Sequence, residues 1–97
     1  MRDLNDLRDE INEIDAEMRE LFIKRMRTAK KIAEYKIENS LPVFDEARER
    51  EVIESNAALL SDNELTELYV EFLKNNMSVS RKYQNAIIEN ARKSTDE

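Results

Sequence analysis

Apolar residues recur at alternating spacings of three and four through the first part of the chain, at Leu4, Leu7, Ile11, Ile14, Met18 and Leu21. The same register continues through Arg25, Thr28, Ile32 and Tyr35. Such positions fall on one face of a helix with 3.6 residues per turn, and nothing between Arg2 and Asn39 breaks it. At 1.5 Å per residue this first helix is a rod of about 55 Å. A compact chain of this size is only about 30–35 Å across. The rest of the chain is too short to cover the whole apolar stripe, so a second copy is expected to cover it.

The segment Asn39-Ser40-Leu41-Pro42 ends the rod, because the proline biases Leu41 out of the helical region. Asp45 is a good N-cap for a second, shorter helix, and Glu46 in its first turn suits the macrodipole. That helix runs to about Leu60, with Val52, Ile53, Asn56 and Leu60 on one side. Ser61-Asp62-Asn63-Glu64 has the form of a capping box and predicts the start of a third helix. Its inner stripe is Leu65, Leu68, Tyr69, Phe72, Leu73, Asn76, Ser80, Gln84, Ile87 and Ile88. The expectation is an all-α domain over residues 1–97, long helix, short helix, long helix, with a polar tail that frays after about residue 91.

Composition supports this layout and narrows the chemistry. The 97 residues include no Gly, His, Cys or Trp and one Pro. An average chain has about 7% Gly. Without Gly, phosphate-cradling loops are excluded, and primed hairpin turns become improbable. Without His or Cys, structural zinc sites, haem ligation, disulfides and a Cys or His nucleophile or base are excluded. Sixteen basic against 22 acidic residues give a net charge of −6, a poor match for nucleic acid. Apolar runs are short, as in Leu21-Phe22-Ile23, so neither a transmembrane span nor a secretory leader is expected. The reading is a cytoplasmic chain with no membrane and no nucleic-acid partner.

The informative positions are polar residues where the pattern asks for apolar ones. Arg25 stands on the seam, where a buried or half-buried cation needs an anionic partner. Residues 25, 29, 32 and 36 step by four, three and four, so Lys36 shares Arg25's face, about 16 Å away along the axis. An internal salt bridge at Arg25 and a snorkelling Lys36 would explain each alone. Together on one stripe they also leave room for a small anion between them. On the third helix, Asn76, Ser80 and Gln84 step by four between Phe72 and Ile88. They must bond to one another, to backbone or to a ligand. Glu49 lies three and four residues before Val52 and Ile53, with Arg48 at the border of that side. That pair is either a surface ion pair or a contact for a ligand hydroxyl. Arg8 flanks the seam 17 residues before Arg25, about 25 Å away, so it could reach Arg25's pocket only from an antiparallel partner rod.

These residues together resemble the all-helical chorismate mutases over nearly the whole chain, from about 5 to about 88. The first helix is similar in Leu7-Arg8-Asp9-Glu10-Ile11, in Ile14-Asp15 and from Leu21 to Arg25, with Lys36 following Arg25 by 11. The most specific stretch is Leu41-Pro42-Val43-Phe44-Asp45 through Ala47-Arg48-Glu49-Arg50-Glu51. Ser80-Arg81-Lys82-Tyr83-Gln84 supplies the family's Ser and Gln, four apart.

The resemblance implies an isomerase that turns chorismate into prephenate by an intramolecular Claisen rearrangement, at the branch toward phenylalanine and tyrosine. It implies an intertwined homodimer of three-helix chains with two shared sites, and either a free-standing enzyme or one domain of a bifunctional one. Such a reaction needs no nucleophile, proton shuttle, metal or cofactor; it needs a compact reactive conformer and positive charge at the breaking C–O bond. By resemblance, Arg25 and Arg8 from the partner chain grip the two carboxylates. Arg48 sits beside the ring carboxylate, and Ser80 adds a hydrogen bond to a carboxylate. Lys36 and Gln84 donate to the ether oxygen, and Glu49 accepts from the ring hydroxyl. Asp45 lines the same wall, and Ile32 and Met77 are apolar walls. Two alternatives stand beside this reading. One is an isochorismate pyruvate lyase on the same fold, whose pattern the Asp45, Arg48 and Glu49 set does not follow. The other is a non-catalytic helical interaction dimer, which gives no reason for Arg25, Lys36, Ser80 and Gln84 to interrupt apolar stripes together.

Overall fold

Asp3 opens the first helix, α1 (Leu4–Glu38), by accepting a hydrogen bond from the Asp6 amide at 2.9 Å. The computed structural model describes residues 3–95; the helix start expected at Arg2 lies outside the described residues. Two further helices follow, α2 (Glu46–Leu59) and α3 (Thr66–Thr95), and no strand occurs among the described residues. The architecture is the all-α, long-short-long order that the periodicity predicts.

The end of α1 is built without glycine. The Leu41 amide donates back to the Lys36 carbonyl at 2.9 Å, and the Ser40 amide donates to Ile37 at 3.3 Å. Ser40 takes φ of 53° to allow this. The pattern is a Schellman closure, which usually puts Gly in that left-handed position. A residue with a Cβ costs about 1–2 kcal/mol there. The closure stops α1 with Lys36 in its last turn, where a cation suits the helix dipole.

Asp45 caps α2 as expected, accepting from the Arg48 amide at 3.0 Å. The start of α3 differs from the sequence reading. Ser61 does not cap it; the helix begins five residues later, at Thr66. Asp62 organises the approach instead, because its carboxylate accepts from the Glu64 amide at 3.0 Å and its carbonyl from the Leu65 amide and the Thr66 hydroxyl. An aspartate carboxylate that accepts from the amide two residues on favours a turn over a helix start at this point. At the other end α3 continues to Thr95, past the point where the tail was expected to fray.

Both α1 and α2 pack on α3. The chain measures 63 × 28 × 15 Å, with a radius of gyration of 17.5 Å. A compact chain of this length would have about 12–13 Å. The few buried side chains lie where the second half of α1 meets the middle of α3: Ala29, Ala33, Met77, Ser80 and Gln84. Ala29 and Ala33 step by four, and their small side chains let α3 come close. The other half of α1 has no cover. Leu4, Leu7, Ile11, Ile14, Met18 and Leu21 are exposed, as are Leu65, Leu68 and Phe72 near the start of α3. Among the described residues no helix is long and apolar enough to cross a membrane.

Candidate active site

A cleft of about 460 Å³ opens where the three helices converge. From α1 come Arg25, Thr28, Ala29, Ile32 and Lys36; the connector adds Val43 and the α2 cap Asp45. From α2 come Arg48, Glu49 and Val52, and from α3 Met77, Ser80, Arg81 and Gln84. Nine of the ten site residues singled out in the sequence therefore line one cavity. Arg8 does not; it is exposed on α1, about 25 Å of helix from Arg25.

The charge of the lining reverses that of the chain. Four cations, Arg25, Lys36, Arg48 and Arg81, face two carboxylates, Asp45 and Glu49, although the whole chain carries −6. The cations are also unequally occupied. Arg25 is exposed in this single chain and meets no carboxylate among the described residues, so the internal salt bridge weighed for it is not formed. Lys36 is half-buried, and its Nζ donates to the Val43 carbonyl at 2.7 Å. That bond is to a neutral acceptor and ties α1 to the connector, so Lys36 is no free surface lysine. Arg48 pairs with Glu51 at 2.9 Å along the exposed side of α2. Glu49 pairs with Arg81 across the cleft, not with the neighbouring Arg48.

On α3 the polar stripe is partly joined. Gln84 donates from Nε2 to the Ser80 hydroxyl at 3.3 Å, while its Oε1 is buried with no partner. At 8% exposure Gln84 holds an amide in the cleft wall that the chain alone does not satisfy. Asn76, eight residues earlier on α3, is half-buried.

Arg81 is the residue the sequence reading did not assign. Its guanidinium carbon lies 5.1 Å from the centre of the Phe44 ring, a cation–π distance. A signal was present: residues 77, 81 and 84 step by four and three, so Arg81 shares a face with Met77 and Gln84. Among the described residues no group of three or more acidic, His or Cys side chains is placed to hold a metal. The arrangement suits a small, compact anion with two negative charges and a polar group for Gln84.

Comparison with known proteins agrees with this chemistry. Residues 7–85 match the family chorismate mutase type II. Over 54 residues, 56% of the chain, it is 43% identical to the bifunctional chorismate mutase/prephenate dehydratase of Aquifex aeolicus (strain VF5), and the matched stretch spans 15% of that protein. No solved structure matches the chain.

Proposed function

The chain belongs to the chorismate mutase type II family, and from that premise we propose that it converts chorismate to prephenate in the cytoplasm, at the branch toward phenylalanine and tyrosine. The observation that carries the reading is the cleft itself, net cationic inside a net acidic chain.

The reaction breaks the ether C–O bond and forms a C–C bond within one molecule. Six electrons move around a ring, and no proton, electron pair or fragment leaves. A catalyst can act in two ways only: by holding the flexible dianion in its folded, chair-like conformer, and by stabilising negative charge on the ether oxygen. Arg25 and Arg8 of the partner subunit hold the two carboxylates, with Arg48 at the edge beside the ring carboxylate and Ser80 adding a hydrogen bond. Lys36 and Gln84 donate to the ether oxygen. The Lys36 ammonium has three N–H donors and uses one on Val43, so two remain. Glu49 accepts from the ring hydroxyl, Asp45 lines the same wall, and Ile32 and Met77 press on the ring.

A second copy is part of this proposal. The uncovered stripe from Leu4 to Leu21 supports a homodimer in which an antiparallel α1 covers it. That arrangement would bring Arg8 to the other copy's cleft and supply a cation that one chain lacks.

The test is a product assay. Incubation with chorismate should give prephenate, seen as loss of chorismate absorbance and identified by mass. Release of salicylate and pyruvate from isochorismate, with no turnover of chorismate, would assign the lyase reaction instead. Inertness toward both would favour the interaction dimer.

A further inference from the structure

We propose that Arg81 is a positioning residue for Glu49, neutralising and orienting its carboxylate so that an anion can share the cleft with it; this rests on the mutase reading. A carboxylate in a cleft built for a dianion is a contradiction in charge. Glu49 is 23% exposed, so water covers only part of its carboxylate. Arg81, 32% exposed, comes from a different helix and pairs with Glu49 Oε1 through Nη1. Glu49 Oε2 accepts no bond from the described residues, which leaves it for the ring hydroxyl. The guanidinium is itself held, because Phe44 presents its ring face at 5.1 Å. An exposed ion pair is of little consequence; one with a fixed donor at a cleft wall sets where the carboxylate stands.

Charge neutralisation and direct grip on substrate make different predictions when Glu49 loses its charge. In the first case Arg81 matters only while Glu49 is ionised. Arg81→Met should raise KM for chorismate about 10-fold or more in the wild-type background, with a smaller change in kcat, by the usual coupling between residues in contact. In the Glu49→Gln background the same substitution should change KM by less than about threefold. Arg81→Lys, which keeps the charge, should restore most of the affinity. Helical circular dichroism and thermal melts follow every variant, and if Arg81→Met loses helix, Arg81→Gln takes its place in the cycle. Equal KM penalties in both backgrounds would overturn the proposal and make Arg81 an independent substrate contact. No penalty in either background would overturn it too. Both of those outcomes leave the mutase reading standing, whereas a wild-type protein that turns over no chorismate refutes that reading and this proposal with it.

Discussion

The Lys36 ammonium donates to the Val43 carbonyl at 2.7 Å, joining the last turn of α1 to the connector that leads into α2. The bond holds the charge at the cleft wall without cancelling it. Lys36→Ala should lower turnover of chorismate about 100- to 1000-fold, the usual loss when one preorganised donor is removed. Arg25→Ala should have an effect of the same order. In both variants helical circular dichroism should stay at the wild-type level, because neither side chain is fully buried. Near-wild-type turnover in either would remove that residue from the mechanism.

Gln84 gives a test by pH. As an amide it can donate at any pH. A carboxylic acid in its place can donate to the ether oxygen only when protonated. Gln84→Glu should therefore be most active at acidic pH and lose activity as pH rises. The wild type should lack that slope. A flat profile for the variant would refute donation by residue 84.

Ser40 occupies a conformation that favours glycine. Ser40→Gly should relieve that strain and stabilise the fold by about 1 kcal/mol. For a domain of this size that is a rise in Tm of roughly 4–8 °C. A lower Tm would mean that the serine side chain contributes more than the strain costs.

The exposed stripe of α1 makes assembly testable. Sedimentation should give twice the mass of one chain, and Tm should rise with protein concentration. Ile14→Asp, at the middle of the stripe, should shift the protein toward single chains and remove activity together with dimerisation. An active single chain would separate the site from the second copy.

The long-short-long order was legible in the sequence because the hydrophobic period, the break at Pro42 and the cap at Asp45 agree. The cleft was legible for a different reason. Arg25, Lys36, Ser80 and Gln84 break apolar stripes, and a break in a stripe points to what the face surrounds. Two features were not legible. The start of α3 was one, because Asp62 holds the amides of Glu64 and Leu65 and the Thr66 hydroxyl in a turn where the capping-box pattern at Ser61 predicts helix. The ion pair of Arg81 was the other, because its partner Glu49 is 32 residues away and only packing of α2 on α3 joins them.

The reversal of sign between the cleft and the chain has a kinetic consequence. A dianion approaching from bulk solution first meets a molecule of charge −6. At physiological salt that field is damped within about 8 Å. Attraction thus begins only near the cleft mouth, and the usual long-range capture of an ionic substrate is absent. Diluting the salt lengthens the reach of the repulsion, so the bimolecular encounter should slow where most enzymes with charged substrates speed up.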